Sequence, residues 1–280
     1  MRSIRHGMLL GLLGVMGCAP LEVVAPDGEG GVPAVDASPE AQARFSFFVT
    51  SLAAMQSLSG SSQGFGGDLR FGEYGAGAGL RGADKICAAI AASALPAASE
   101  KTWRAFLSTS YEHARDRIGA GPWYDRHGRL VANSLEELTA LRPTAADPAI
   151  RDDLPNEDGV PNHDPYGKGG VDNHDVLTGS DAAGRLYGSA PDNTCDDWTS
   201  AAPSGSPRMG HSWPRDSEAV RAGDPLASWS SAHDGAGCAP GLNLIETGKP
   251  ITKSPLSPTG RSVGEGGGYG AIYCFALSAP

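Results

Sequence analysis

The chain has 280 residues, a mean hydropathy of −0.24 and 40% hydrophobic residues, which is typical of a globular protein and excludes a wholly disordered or polytopic membrane protein. Its 39 glycines and 21 prolines predict many turns and long loops. The formal net charge of −10 argues against nucleic acid, heparin-like polyanions and anionic lipid as partners.

Residues 1–17 are predicted to be a lipoprotein signal peptide. Two arginines precede the apolar residues 8–16, a stretch that is too short for a permanent membrane span. The stretch ends at Gly17-Cys18, which resembles a bacterial lipobox, so Cys18 is expected to be lipidated. Ala19 then favours the outer membrane, by resemblance to Gram-negative lipoproteins. An ordinarily secreted protein is the alternative.

Composition divides the rest of the chain into a tether and one domain. Residues 18–43 are rich in Pro, Gly and acidic side chains and predict an extended tether, followed by a domain over 44–280. Apolar spacing and turn residues predict, in chain order, a strand over 45–50, loops over 57–67 and 72–82, a helix over 83–95, a strand over 102–108 and a short helix from Ser134 to Leu141.

The second half of the chain is expected to contain a polar, acidic loop insertion over residues 142–173. Short strands are predicted after it, over residues 175–178, 197–200, 228–231 and 271–277. The economical interpretation is a single, loop-rich α+β domain.

The cysteines agree with export from the cytoplasm. Cys87, Cys195, Cys238 and Cys274 follow Cys18, an even number that predicts two structural disulfides in an oxidising compartment. The spacing of the cysteines leaves all three pairings open. The absence of a CxxC pair from the sequence argues against a zinc ribbon or a thioredoxin-like site.

Several segments within about residues 45–280 form a pattern by their order and spacing: Leu80-Arg81-Gly82-Ala83-Asp84 with Cys87, Thr102-Trp103-Arg104-Ala105-Phe106-Leu107-Ser108, Cys195-Asp196-Asp197-Trp198-Thr199 and Tyr273-Cys274-Phe275. This pattern resembles endostatin, a domain with a C-type-lectin-like fold, and the bacterial lipoproteins that share it. The resemblance implies a C-type-lectin-like, endostatin-like α+β fold with nested disulfides, Cys87–Cys274 outside and Cys195–Cys238 inside.

The functions of the family are not expected to carry over with the fold. Endostatin's zinc site uses histidines near its N-terminus, and this sequence has no histidine between His6 and His113. Its heparin binding needs a basic surface, whereas this chain is acidic. The sequence after Trp198 also lacks the carboxylate and amide that hold calcium in sugar-binding C-type lectins.

The acidic stretch from Asp152 to Asp175 is the strongest candidate for a metal site. Clustered carboxylates repel one another, and a divalent cation relieves that repulsion. Calcium suits the carboxylates, and the two histidines leave zinc open. A solvated acidic loop is the alternative interpretation. The candidate ligands are Glu157, Asp158, His163, Asp164, Asp172, His174 and Asp175.

Two further histidines, His211 and His233, fall in segments that approach each other in a lectin-like fold. They are expected to make structural hydrogen bonds. Catalysis is disfavoured because the sequence has no nucleophile elbow of the G-x-S-x-G type and no zinc-protease motif.

Aromatic residues in turn-rich segments suggest a platform for stacking sugar rings, because aromatic faces pack on the apolar face of a pyranose. The candidates are Trp123, Tyr124, Trp213 and Trp229, with burial in the core as the alternative.

The sequence therefore predicts a non-enzymatic lipoprotein of the cell envelope whose domain binds a polysaccharide or surface protein outside the cell. Its only contact with membrane is expected to be the lipid anchor, and no nucleic acid is expected as a partner. One alternative is a metal-assisted envelope hydrolase that uses residues 152–175. A purely structural envelope component is the other.

Overall fold

The computed structural model describes residues 37–163, 171–214, 217–246 and 261–277. Contacts divide the chain into Met1–Val35 and Asp36–Pro280, and the described residues all belong to the second unit. Its first helix starts at Pro39 and buries Ala41, so the tether predicted over 18–43 is wrong at its C-terminal end. The predicted signal peptide and Cys18 lie outside the described residues.

The described part is a mixed α+β structure, as the sequence predicts. The helices are α1 (Pro39–Arg44), α2 (Leu52–Ser59), α3 (Ala78–Ala94), α4 (Ala114–Arg117), α5 (Leu135–Leu138), α6 (Cys195–Trp198) and α7 (Ser217–Ala222). The strands are β1 (Phe47–Val49), β2 (Trp103–Ala105), β3 (Trp123–Tyr124), β4 (Leu130–Ala132), β5 (Val171–Asp172), β6 (Asp175–Leu177), β7 (Arg208–His211), β8 (His233–Asp234), β9 (Ile245–Glu246) and β10 (Gly268–Ala276). Short 3₁₀ turns span Pro96–Glu100, Asp192–Thr194 and Pro225–Ala227.

Strand β10 lies at the centre of the main sheet. Its nine residues are all buried, which fits a sequence of aromatic, aliphatic and small residues without a charge. The strand pairs antiparallel with β1 and β2 through its C-terminal half, and parallel with β6 through its N-terminal half. Strands β7 and β8 then extend the sheet antiparallel beyond β6. Strands β6, β7 and β8 carry the candidate site described below.

Helix α3 covers the sheet with an apolar face. Leu80, Ala83, Ile86, Cys87 and Ile90 repeat at helical spacing and are all buried. The helix begins at Ala78, earlier than predicted, and ends at Ala94 before Pro96, as the proline requires. Within the described residues, no helix has the length and apolar character needed to cross a membrane.

Two disulfides cross-link the domain. Cys87 of α3 is bonded to Cys274 of β10, and Cys195 is bonded to Cys238. These are the two pairs that the resemblance implies. The first bridge links residues 187 positions apart, so it ties the main helix to the last strand.

The strand predicted over 197–200 is wrong, because the chain forms a left-handed turn there. Cys195, Asp196, Asp197 and Trp198 all have positive φ angles between 48° and 65°. Non-glycine residues rarely adopt this conformation, so the surroundings must stabilise it. Trp198 donates through Nε1 to the Ser108 carbonyl at 2.9 Å, and a Cβ on Gly79 would lie 2.1 Å from the Asp197 carbonyl oxygen.

Two other predictions also differ from the structure. The segment over 228–231 forms bends rather than the predicted strand. The first part of the insertion over 142–173 is packed rather than solvated, since Ile150 and Leu154 are fully buried in the core. The short helix predicted from Ser134 is present as α5, with Ser134 Oγ accepting from the Glu137 amide.

Candidate metal centre

Strand pairing brings together side chains that are distant in the sequence. Asp175, the first residue of β6, lies directly opposite His211, the last residue of β7. His233, the first residue of β8, lies opposite Met209 of β7. Since Met209 and His211 share one face of the sheet, Asp175, His211 and His233 project from the same face. His174 precedes β6 and completes the group.

Three imidazoles surround one carboxylate oxygen. The Nε2 atoms of His233, His174 and His211 lie 2.9, 3.2 and 3.4 Å from Asp175 Oδ1. One potential ligand atom from each of the four residues lies within 4.8 Å of all the others. Zinc bonds of 2.0–2.1 Å in a tetrahedron separate neighbouring ligand atoms by about 3.3 Å. The three measured distances are close to that separation.

The four side chains are removed from solvent to different extents. Those of His174, Asp175 and His211 are almost fully buried, whereas that of His233 is 28% exposed. Asp175 Oδ2 and both ring nitrogens of His211 are buried without a hydrogen-bond partner among the described residues. Buried polar atoms are nearly always paired, so these atoms indicate a missing partner such as an ion.

The electrostatics hold Asp175 and His211 in the forms that bind a cation. Burial opposes ionisation of Asp175, but the nearby imidazoles of His174, His211 and His233 outweigh it and hold the pKa of this carboxyl well below its usual range. Burial lowers the pKa of His211 to about 4. Asp175 is therefore a carboxylate and His211 a neutral imidazole at neutral pH, the forms that bind metal.

The pKa of His233 is shifted upwards, in the opposite direction to that of His211. Burial lowers its pKa, but the hydrogen bond to Asp175 and the charge of that carboxylate outweigh burial and raise the pKa to about 9. Its other ring nitrogen, Nδ1, lies 3.1 Å from the Asp234 carbonyl oxygen. That contact orients the ring so that Nε2 points to Asp175.

The surrounding backbone is fixed by a buried arginine. Arg142 donates through Nη1 to the His211 carbonyl at 2.6 Å, through Nη2 to the Ser212 carbonyl at 2.7 Å and through Nε to the Arg151 carbonyl at 3.1 Å. Burial lowers the pKa of Arg142 to about 10. Three carbonyl dipoles thus hold this guanidinium, and it holds the end of β7 in place.

A glycine leaves room beside the carboxylate. A Cβ on Gly266 would lie 2.3 Å from Asp175 Oδ2 and 3.2 Å from His233 Cε1. Any larger residue would press on two of the four candidate ligands. Gly266 therefore allows the loop before β10 to pack against the group without displacing it.

The donor set distinguishes between metals. Three imidazole nitrogens and one carboxylate oxygen suit zinc, which binds nitrogen and oxygen ligands in a tetrahedron. Calcium requires six to eight oxygen ligands, so the expectation that calcium suits this region does not fit these four residues. With four protein ligands the tetrahedron is complete, which is typical of a structural rather than a catalytic zinc site.

Of the seven metal ligands predicted from the sequence, His174 and Asp175 belong to the group. Glu157 instead accepts hydrogen bonds from the backbone and hydroxyl of Ser51 at the start of α2. Asp158 is exposed, and His163 contacts Asp153. Asp164 lies outside the described residues, as does the side chain of Asp172 in β5. The prediction of a site within the acidic loop is therefore wrong for Glu157 and His163.

The sugar-stacking platform predicted from the aromatic residues is wrong for its three tryptophans. Trp123 and Trp229 are fully buried, and Trp213 is 7% exposed. Trp229 donates to the Leu138 carbonyl and Trp213 donates to Asn173 Oδ1, next to the candidate metal ligands. Tyr124 is half-buried, with the Arg44 guanidinium stacked over its ring. The three indoles fill the core because they carry large apolar surfaces.

His211 and His233 were not among the metal ligands predicted from the sequence. Both were expected to make structural hydrogen bonds, and His233 does so through Nε2 to Asp175. Each histidine lies at the end of a short strand, and a correct strand prediction over 208–211 would have placed His211 opposite Asp175.

Comparisons of the chain with known proteins found no match. No protein-family model matches the chain, and a search of curated proteins finds none that is similar to it.

Proposed function

We propose that residues 36–280 form an extracytoplasmic binding domain that holds one zinc ion between His174, Asp175, His211 and His233. The observation that carries the proposal is the burial of His211 and Asp175 beside two further imidazoles, with ring nitrogens of His211 that have no hydrogen-bond partner among the described residues. Buried polar atoms are nearly always paired, and a zinc ion would take one nitrogen of His211 and one oxygen of Asp175 as ligands.

The proposed role of the ion is to stabilise the outer strands of the sheet. Strand β8 has two residues and pairs with β7 alone among the described strands. A zinc ion bound to His233 would join this edge strand to β6 and β7. The ion would therefore contribute to folding rather than supply a reactive water, since four protein ligands leave no open position.

A binding role rather than catalysis also agrees with the cysteines. Cys87, Cys195, Cys238 and Cys274 are all in disulfides, so none of these four thiols is available as a nucleophile. The nested disulfides support an endostatin-like, C-type-lectin-like fold as part of this proposal. The N-terminal sequence supports attachment to the outer membrane through a lipid on Cys18, with a polysaccharide or surface protein as the ligand.

Metal analysis of the full chain tests the zinc site. The purified protein is expected to contain one equivalent of zinc, to lose it to a chelator, and to regain its melting temperature with zinc but not with calcium. Zinc at 100 times its dissociation constant would stabilise the fold by about 2.7 kcal/mol. A chain that neither contains nor binds zinc would contradict the proposal.

Fractionation of cells tests the location separately. The native chain is expected in the membrane fraction, and Cys18→Ser is expected to move it to the soluble fraction. If the variant stays in the membrane fraction, lipidation of Cys18 does not anchor the protein. The zinc result does not depend on this outcome.

A further inference from the structure

We propose that a cleft beside the N-terminal end of α3 binds a neutral carbohydrate, with Tyr111 in the cleft and Tyr74 in an adjoining depression packing against sugar rings. The cleft encloses about 410 Å³ and is lined by Leu80, Arg81, Asp84, Arg104, Tyr111 and Glu112, among others. Its size falls within the range of small-ligand sites. The proposal assigns a ligand class and a site to the binding domain proposed above, on which it rests, and it requires no metal.

Tyr74 and Tyr111 are large, partly apolar side chains that are exposed to solvent. Tyr74 is 82% exposed and Tyr111 is 56% exposed, the two largest values among the exposed large hydrophobic residues that the structure describes. Tyr111 lines the cleft directly. Arg81, which also lines it, donates through Nη2 to the Tyr74 carbonyl oxygen at 2.8 Å. Tyr74 lines an adjoining depression with Arg70 and Glu73. The ion pair between Arg81 and Glu73 joins that depression to the cleft.

The segments that carry the tyrosines are fixed, although their rings are exposed. Arg81 also donates to the Ala76 carbonyl and to the Glu73 carboxylate, so its guanidinium holds three points of the turn around Tyr74. Ser110 donates from both its amide and its hydroxyl to the Asp197 carboxylate, which fixes the residue before Tyr111. A ring carried on a fixed backbone segment loses less entropy when a ligand packs against it than one on a mobile segment.

The charges of the cleft favour a neutral, hydroxyl-rich ligand. Its lining combines three arginines with three acidic residues, namely Arg81, Arg104, Arg117, Asp84, Glu112 and Asp116. Arg117 and Asp84 are buried and form an ion pair with each other. They therefore line the bottom of the cleft and do not offer an unpaired charge to a ligand. The −10 charge of the chain opposes an anionic ligand, and the arginines oppose a cationic one.

Polar groups remain available at the rim of the cleft. Arg104 is 40% exposed and donates through Nη1 to Asp84, while its Nε and Nη2 make no further hydrogen bond within the described ranges. Glu112 is 42% exposed and pairs with Arg117 through Oε2. A sugar hydroxyl both donates and accepts, so it can bond to a carboxylate and a guanidinium side by side. Guanidinium, carboxylate and aromatic groups thus converge as a carbohydrate requires.

Calorimetric titration of the full chain with neutral hexasaccharides tests the inference. The probes are the β-1,4-glucose, α-1,4-glucose, xylose, mannose and N-acetylglucosamine oligomers. At least one is expected to bind, and the double variant Tyr74→Ala with Tyr111→Ala is expected to weaken it by roughly tenfold or more. Tyr74→Phe with Tyr111→Phe keeps both rings and is expected to retain most of the affinity. Leu226→Ala, an exposed residue outside the lining, is the matched control.

The outcomes separate this inference from the zinc proposal. Binding is expected to be equal before and after chelation, and the tyrosine variants are expected to keep the zinc content of the native chain. The carbohydrate site is overturned if none of the five oligomers binds at millimolar concentration, or if the double alanine variant binds as tightly as the native chain. It is also overturned if tetramethylammonium or a sulfated glycan binds there in preference, since a cation or anion site would then be present.

Discussion

His233 Nε2 lies 2.9 Å from Asp175 Oδ1, although the two residues are 58 positions apart in the sequence. The contact connects β8, at the edge of the sheet, with β6, two strands away. A strand of two residues gains little from its backbone pairing. Its position therefore depends on side chains, and His233 is joined in this by Arg208, which donates to Asp234 and Ser231.

Loss of His211 is expected to abolish zinc binding at micromolar zinc. His211→Ala removes a neutral, buried ligand and should lower zinc affinity by at least about 100-fold. The measurement is zinc content after gel filtration, together with titration against a chromogenic chelator.

His163→Ala is the matched control for this prediction. His163 was a ligand candidate in the sequence, but in the structure it contacts Asp153 and lies outside the group of four. The control is expected to keep one equivalent of zinc. Retention of zinc by His211→Ala, or its loss from His163→Ala alone, would place the metal elsewhere.

Arg142→Lys is expected to destabilise the domain by about 2 kcal/mol. An ammonium lacks the fork that lets one guanidinium bond the carbonyls of Arg151, His211 and Ser212, so buried carbonyls lose partners. Zinc affinity should fall by about tenfold, because the end of β7 is no longer fixed. Urea unfolding and zinc titration measure the two effects.

The control for this variant is Arg151→Lys, since Arg151 is 46% exposed and forms a surface pair with Asp152. Its expected effect on stability is under about 0.5 kcal/mol. Equal stability of the two variants would mean that the bonds made by Arg142 do not hold the domain together.

Glu157 is expected to make stability depend on pH in the acidic range. Burial raises the pKa of its carboxyl, and the hydrogen bonds from Ser51 oppose the shift without cancelling it. The folded state therefore keeps a proton that the unfolded chain releases, so this residue lowers stability as pH rises from the ordinary glutamate pKa through the folded value.

Glu157→Gln is expected to remove that part of the pH dependence. The difference in unfolding free energy between the native chain and the variant should shift in favour of the variant between pH 4 and pH 7. Urea unfolding at several pH values measures it. Glu136→Gln, at an exposed position in α5, should leave the pH profile unchanged. A constant difference between Glu157→Gln and the native chain would contradict the raised pKa.

Removing either disulfide is expected to destabilise the domain strongly. In the chain-entropy model, a bridge over 187 positions contributes about 5 kcal/mol and one over 43 positions about 4 kcal/mol. Cys87→Ser with Cys274→Ser, and Cys195→Ser with Cys238→Ser, test them by urea unfolding. Loss of under 1 kcal/mol in either pair would show that the unfolded chain gains little freedom from its removal.

Local sequence patterns correctly predicted the helices and strands that are specified by the spacing and type of neighbouring residues. The apolar repeat of Ile86, Cys87 and Ile90 predicted α3, and the aromatic run that contains Tyr273 and Phe275 predicted β10. The left-handed turn at Cys195–Trp198 was not predicted, because local bonds such as the one from the Asp197 amide to Thr194 Oγ1 act together with distant contacts. Packing of Gly79 and the bond from Trp198 to Ser108 stabilise it, and both come from segments distant in the sequence.

Composition and short-range spacing were enough to predict the acidic, loop-rich character of the chain, its α+β class and two disulfides among the four cysteines that follow Cys18. The packing of the folded domain sets which histidines meet. His174 and Asp175 are neighbours in the chain, but His211 and His233 reach them through the pairing of β6, β7 and β8. It also decided that Trp123 and Trp229 are core residues while Tyr74 and Tyr111 are exposed, since burial depends on what packs against a side chain and not on its type.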